Sequence, residues 1–335
     1  MNAYNPPNIS LFNDLKRLKD WKIVVVSNKK NIDKSWQLLN FSNKIIYLSL
    51  SKQANLEYNI LKYLDSHSYS RKNIGYLYTI QHGAKEIFEI DENIIISDIN
   101  DLNINYKKNW ICYGIRNDSS MINPYLHFKK SNLNIWPRGF RLSDIGKNNN
   151  KFYILNPHHF LLKPLIYQGL INNFPDVDSI FLQTEIQHHL QKIKFIYNYP
   201  LVYLPGNYIP INSKSTKYLY DIFPFLILPN TVNERISDIW RGYIMQYFAW
   251  RYNGCVLYHF SHNYIEEYNI LLQTQFYKDK NLFFNIDKLL DVLYINSNLE
   301  FTNSIDLLFK IIKDLINEKL WRHFFCSIHY CPIKN

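Results

Sequence analysis

Trp21-Lys22-Ile23-Val24-Val25-Val26-Ser27 is the stretch on which the fold turns. Four consecutive β-branched residues stiffen the chain into an extended form, and no polar residue alternates with them. A strand of that kind is buried on both faces, the habit of parallel strands in α/β sheets. Outward from it, the pattern predicts a helix over 33–39, a strand over 44–48, a helix over 54–64 and a helix over 71–83. In the last of these, Ile74, Leu77, Tyr78 and Gln81 fall at helical spacing and Gly83 suits the C-terminal cap. A third strand over 86–90 ends in Asp91-Glu92-Asn93. This cadence is that of an α/β sheet, in which ligands bind beyond the carboxyl ends of the strands. Ser27-Asn28 and Asp91-Glu92-Asn93 hold those positions. On the other side of the opening strand, residues 1–20 read as a polar lead with one amphipathic turn near 11–18.

Residues 100–250 carry most of the prolines and read as shorter strands and long loops around one or two helices. From about 263 onward helical patterns dominate, with Leu289, Leu290, Leu293 and the run 305–320 forming apolar faces. Apolar residues make up 47% of the 335, enough for a sizeable core, which excludes a disordered chain. Only nine glycines are present, against more than twenty at an average usage of roughly 7%. No G-x-G-x-x-G fingerprint and no G-x-x-x-x-G-K-[ST] loop can be read, so a nucleotide would bind without a glycine cradle. The formal charge of +10 suits an anionic partner. The lysines are dispersed, however, and no basic cluster is interleaved with aromatics, so no nucleic-acid partner is expected. Four cysteines without a C-x-x-C pair argue against zinc. Cys326 and Cys331 could close a small loop, but reduced thiols in a cytoplasmic compartment are the expectation. No signal peptide and no apolar run of about 18 residues is present, so no membrane span is expected.

Four motifs could carry chemistry. Asp91-Glu92-Asn93, preceded by Glu89, offers hard oxygens to Mg²⁺ or Mn²⁺ at a strand end; a solvated turn is the ordinary alternative. Ser70-Arg71-Lys72-Asn73 puts two cations at a helix start, an anion site or plain surface charge. Asp238-Ile239-Trp240-Arg241-Gly242 sets a carboxylate beside an aromatic face and a cation; it is equally a helix opening with a core Trp. Pro175-Asp176-Val177-Asp178 reads as a turn with an Asp cap. His158-His159, His188-His189 and the i, i+3 pair His259 and His262 lack a metal-binding pattern.

The run Ser70-Arg71-Lys72-Asn73-Ile74-Gly75-Tyr76-Leu77-Tyr78-Thr79-Ile80-Gln81-His82-Gly83-Ala84-Lys85 resembles the STELLO family of glycosyltransferase-like proteins. So, in the same order, do Asn123-Pro124-Tyr125-Leu126-His127-Phe128, Trp136-Pro137-Arg138-Gly139-Phe140, Gln168-Gly169-Leu170, Pro175-Asp176-Val177-Asp178-Ser179-Ile180-Phe181, Asn212-Ser213, Asp238-Ile239-Trp240-Arg241-Gly242-Tyr243 and His262-Asn263-Tyr264. The resemblance covers roughly 20–275. It implies a GT-A-like α/β fold, a mixed sheet flanked by helices with a helical C-terminal extension. Residues 1–20 are then a lead, 21–100 a nucleotide-sugar-binding half, 101–260 an acceptor-side half and 261–335 the extension.

It further implies a metal-dependent transfer of sugar from a nucleotide-sugar to a glycan, protein or lipid acceptor. A divalent cation, Mn²⁺ or Mg²⁺, would sit on Asp91, Glu92 and Asn93. The donor would contact Ser27, Asn28, Arg71, Lys72, Asn73, Asp91 and Glu92. Asp238 would serve as acceptor-side base, with Trp240 as a sugar platform and Arg241 orienting Asp238. Three departures stand out. Leu182 stands where the family often has Arg after the Phe of P-D-V-D-A-I-F. Asn93 occupies an acidic position of the family's cluster, and Lys214 stands where the family has Gln in N-S-Q-N-T. A non-catalytic GT-A-like scaffold or regulator of other glycosylation enzymes is the competing expectation.

Overall fold

Ile23–Ser27 forms a strand, β2, buried along its whole length. In the computed structural model, residues 1–8, 17, 18, 20–38, 44–104, 111–115, 121–130, 134–146, 152–155, 162–186, 192–196, 198–266, 272–297, 299 and 303–321 are described. Most of the expected amphipathic turn near 11–18, the two adjacent histidine pairs, and Cys326 and Cys331 lie outside them. Strand β2 pairs in parallel with β1 (Asn2–Ala3) on one side and β3 (Ile45–Leu48) on the other. Helix α1 (Asp33–Leu38) connects β2 to β3 as expected. The helix expected over 54–64 is instead a short α2 (Leu50–Ala54), capped by Ser49, followed by a 3₁₀ turn at Asn59–Tyr63. Glu57 lies between them at φ 54, a left-handed conformation that no helix can run through. Helix α3 (Lys72–Gln81) ends as predicted, with Gly83 in the left-handed region.

The third strand, β4 (Glu86–Ile90), does not join the first sheet. This strand has Glu86 exposed on one face and Glu89 buried on the other. It takes the edge of a seven-stranded mixed sheet. The other members are β6 (Ile111–Ile115), β7 (Phe152–Leu155), β8 (Lys163–Gly169), β9 (Leu201–Tyr203), β10 (Ser215–Leu219) and β11 (Gly254–His259), in the order β4-β10-β8-β11-β9-β6-β7. Strand β10 runs antiparallel to both β4 and β8, while β11 runs parallel to β8. A short ribbon pairs β5 (Ile94–Ile95) with β12 (Tyr264–Ile265). This is a mixed sheet flanked by helices, the arrangement expected of a GT-A-like fold.

Helix α4 (Glu234–Arg251) runs through the main core, and every residue from Ile236 to Ala249 is buried. Trp240, Tyr243 and Phe248 are apolar on several sides of it, as an enclosed helix requires. The extension is α5 (Leu272–Ser297) and α6 (Ser304–Asn317). Leu307, Leu308, Ile311, Ile312, Leu315 and Ile316 make one buried stripe on α6. Among the described residues no helix is long and apolar enough to cross a membrane.

Two glycines hold the start of α4 in place. A Cβ on Gly242 would lie 2.8 Å from the Ile211 carbonyl oxygen. Gly139 has φ +85, and its Cβ would lie 2.4 Å from Ile239 Cγ2. Any side chain at either position would push α4 away from the segments that carry Ile211 and Arg138.

Asp178 caps the helical turn Ser179–Phe181 by accepting the Ile180 N–H, as its motif suggested. Its Oδ2 is buried with no hydrogen-bond partner among the described residues, and burial pushes the carboxyl up to about 7. The folded chain therefore keeps a proton there that the unfolded chain loses near pH 4. Stability contributed by this site falls as pH rises from about 4 to about 7. Asp178→Asn keeps the cap and removes the titration. In urea unfolding at pH 8 it is expected to be about 2–4 kcal/mol more stable than the parent, and at pH 4 no more stable. An equal gain at both pH values would refute the assignment.

Candidate active site

The ends of β4 and β10 meet the start of α4 at a cleft of about 540 Å³. It is lined by Asp91 and Asn93 from beyond β4, Lys214 from before β10, and Glu234, Arg235 and Asp238 from α4. Tyr69, Arg138 and Asp176 come from loops, and Lys278 from α5. Residues from several distant segments thus converge here, and with Ile265, Thr274 and Gln275 completing the lining, eight of its thirteen residues are charged.

Arg138 organises the floor. Its Nε and Nη2 donate to Asp176 Oδ1 and Oδ2 at 3.0 and 2.6 Å. Nη1 and Nη2 donate to Asp238 Oδ1 and Oδ2 at 2.8 and 2.9 Å, and Nη1 also donates to the Arg235 carbonyl. All five guanidinium N–H groups are used. Burial opposes the charge, but Asp176 and Asp238 hold the Arg138 pKa well above its ordinary value. Asp176 is buried too, which alone would raise its pKa; Arg138 and Lys214 hold it well below the usual carboxylate range.

A second charged chain runs inward from the cleft. Lys72 Nζ lies 2.6 Å from Asp91 Oδ1 and 3.0 Å from Glu89 Oε1. Glu89 Oε2 accepts from Arg241 Nη2 and the Tyr218 hydroxyl, both at 2.9 Å, and Oε1 from the Tyr76 hydroxyl at 2.6 Å. Burial would raise the Glu89 pKa, yet Arg241 and Lys72 bring it down to about 2.

Several expected site residues are placed elsewhere. Trp240 and Arg241 are each 1% exposed. Trp240 packs in the core and offers no face to a sugar. Arg241 binds Glu89, Tyr76, Tyr218 and Ser213 rather than orienting Asp238, which is the work of Arg138. Arg71 is buried, donating to Gln53 Oε1 and to the carbonyls of Leu64 and Asp65. Asn73 is tied in both directions to the Leu228 backbone. Ser27 donates to the Lys29 carbonyl and Asp33, and Asn28 is fully buried. All six are taken into the folded interior, and none of them lines the cleft.

Asp238 reaches the cleft but is not a free base. Besides Arg138 on both oxygens, it accepts the Ser213 N–H at 3.2 Å and the Ile239 N–H at 2.9 Å. Those four bonds take up a carboxylate's acceptor positions. Asp91, in contrast, has a side chain 26% exposed, and its Oδ2 has no hydrogen bond among the described residues. Arg138 and Asp176 carried no assigned role in the sequence. The available signal was burial logic: each is a charge set between large apolar residues, Arg138 between Trp136 and Phe140 and Asp176 between Phe174 and Val177, and such charges are buried only when paired.

The cluster Asp91-Glu92-Asn93 does not fit a divalent ion. Such an ion needs several oxygens, mostly anionic. Asp91 already faces the Lys72 ammonium, and a second cation against it would be repelled. Glu92 is spent on the N-terminal segment, accepting the Tyr4 and Asn5 N–H groups and Asn5 Nδ2 at 3.0, 3.3 and 2.6 Å. Asn93 is uncharged, and Glu89, sealed in the core, cannot replace it. Away from this cluster, Asp98, Asp101 and His262 bring one ligand atom each within 4.8 Å of one another. Asp101 there already accepts the His262 backbone N–H at 2.6 Å.

No family model matches the chain. Two curated proteins of Arabidopsis thaliana are similar to it. "Probable glycosyltransferase STELLO2" is 32% identical over 311 residues, covering 88% of this chain and 39% of that protein. "Probable glycosyltransferase STELLO1" is 33% identical over 295 residues, covering 83% and 36%. The chain therefore spans less than two fifths of the length of these relatives.

Proposed function

The chain belongs to the STELLO family, and from that premise we propose that its charged cleft transfers a sugar from a nucleotide-sugar donor to an acceptor hydroxyl. The observation that carries this reading is the convergence of distant family-like segments on one cleft. Tyr69, Arg138, Asp176, Lys214 and Asp238 each come from in or beside a different one. Packing alone does not explain so many charges at the edge of an apolar core, since each costs desolvation unless it is paired. In the reaction the bond from the sugar's anomeric carbon to the diphosphate breaks, and its electron pair leaves with the phosphate. A bond to the acceptor oxygen forms, and the acceptor's proton is lost. The residues' part is to fix the donor, to balance the growing negative charge and to meet the hydroxyls.

Asp91 Oδ2 is suited to accept from a substrate hydroxyl. A hydrogen bond to a charged group contributes about 1.5–3 kcal/mol, so Asp91→Ala is expected to lower kcat/KM roughly 10- to 100-fold. The melting temperature should barely move, because Lys72 keeps Glu89 as a partner. Full turnover in the folded variant would remove Asp91 from the site.

The donor is tested by thermal shift against a panel of UDP- and GDP-sugars, with and without Mn²⁺. A ligand at about 100 times its Kd adds ~2.7 kcal/mol to stability, a rise of several degrees. The scaffold reading draws on Asn93 and on the saturated Asp238. A flat response to every donor would favour it over transfer.

A further inference from the structure

On the sugar-transfer reading above, we propose that the cleft binds the donor's diphosphate through Lys214 and without a divalent cation. Around the expected metal position Asp91 already faces the Lys72 ammonium, Glu92 is spent on the N-terminal segment and Glu89 is sealed in the core. What the cleft offers an anion is a lysine at the same place. Ser215 of β10 pairs with Ile90 of β4 in an antiparallel register. Lys214 and Asp91 each lie one residue beyond that pair, so the lysine stands beside the strand end that would carry the metal.

Lys214 is also the least committed cation of the lining among the described residues. Arg138 uses all its N–H groups on Asp176, Asp238 and a carbonyl. Arg235 is paired with Asp279 through Nε at 2.5 Å and Nη2 at 2.8 Å. Lys278 lies 2.5 Å from Glu234. Lys214 has one longer contact, 3.3 Å to Asp176 Oδ1, an oxygen that Arg138 Nε already occupies at 3.0 Å. Its side chain is 17% exposed, open to the cleft yet shielded enough to act strongly. Its backbone is held by the Asn212 side chain, which accepts the Lys214 N–H at 3.0 Å and a bond from Gln168 at 3.2 Å. A lysine ammonium serves phosphate as a point charge with three rotatable donors. It can leave the shared Asp176 oxygen for a diphosphate at little loss, because Arg138 continues to neutralise Asp176.

The test is calorimetric binding of UDP and GDP to the full chain, in excess EDTA and again in Mn²⁺, beside titration of Mn²⁺ alone. The expected result is nucleotide binding of equal affinity in both buffers and no heat from Mn²⁺ alone. Lys214→Ala should weaken binding of the preferred diphosphate about tenfold or more and leave binding of the matching nucleoside unchanged. Lys214→Arg should retain most of the affinity, and both variants should melt with the parent. Binding that appears only with Mn²⁺, or a Lys214→Ala protein that binds like the parent, would overturn the lysine site and leave sugar transfer standing. Absence of binding by either nucleotide in either buffer would sink the transfer reading and this inference together.

Discussion

Arg241→Ala is expected to destabilise the fold by about 3–5 kcal/mol, the range for breaking a buried ion pair by removing one partner. The Arg241 guanidinium donates to Glu89 at 2.9 Å, to the Tyr76 and Tyr218 hydroxyls at 2.6 and 2.8 Å and to Ser213 Oγ at 3.1 Å. Arg241 is 1% exposed and Glu89 3%, so water cannot replace what is lost. The variant leaves Glu89 with Lys72 as its remaining cation and removes the buried donor to the Tyr76 and Tyr218 hydroxyls and to Ser213 Oγ. Urea unfolding at pH 7 measures the loss. The pH dependence gives a second readout. Glu89 has its pKa depressed to about 2 from the ordinary carboxyl range. It therefore contributes stability that is complete above about 4.5 and lost as pH falls toward 2. Without Arg241 that depression shrinks, and acid unfolding should begin at higher pH. Lys163→Ala makes the control: its 2.7 Å pair with Asp221 joins side chains 59% and 44% exposed, worth well under about 1 kcal/mol. Equal losses in the two variants would show that burial does not govern the Arg241 pair.

Much of the fold was legible because its signals are local. The β-branched run at 23–26, the Gly83 cap on α3 and the apolar stripe of α6 each report one element's own period or cap. Partnership between strands is not local. The cadence of residues 21–93 suggested a single sheet, yet β4 pairs with β10, more than a hundred residues away. Glycine scarcity was informative in the same limited way. Gly139 and Gly242 sit where a Cβ would collide, whereas Gly83 and Gly206 have open space and are used for positive φ.

The site was half legible for a related reason. Sequence shows which residue types could do chemistry, but not which of them folding consumes. Arg71, Asn73, Trp240 and Arg241 have the right chemistry, and the fold buries all four away from the cleft. Lys72 was expected to meet the donor, and its buried ammonium is held by Asp91 and Glu89. Asp176 looked like a turn cap beside Asp178; only Asp178 caps, and Asp176 faces Arg138. Pairing across 38 residues for Asp176 and 100 for Asp238 decides which charges stay available, and no motif encodes it.

That dependence on pairing makes Arg138→Lys the most informative change to the cleft. Arginine serves two carboxylates and a carbonyl from one planar fork; lysine has three donors on a single nitrogen and cannot span them. Asp176 and Asp238 would then share one ammonium that cannot hydrogen-bond both, leaving buried carboxylate oxygens unpaired. The expected cost is again about 3–5 kcal/mol, read by urea unfolding. The effect on transfer is separable from unfolding when turnover is measured at low temperature, where the variant remains folded. There the carboxylates and the Arg235 backbone lose their fixed spacing, and displacement of about 1 Å in a catalytic cleft is enough for a 10²-fold loss. Asp91→Ala should behave oppositely, losing transfer at nearly constant stability. The two variants together distinguish a group that touches substrate from one that holds the cleft in shape. If Arg138→Lys keeps both stability and turnover, the convergence on this arginine has no functional weight, and the active site must be sought elsewhere.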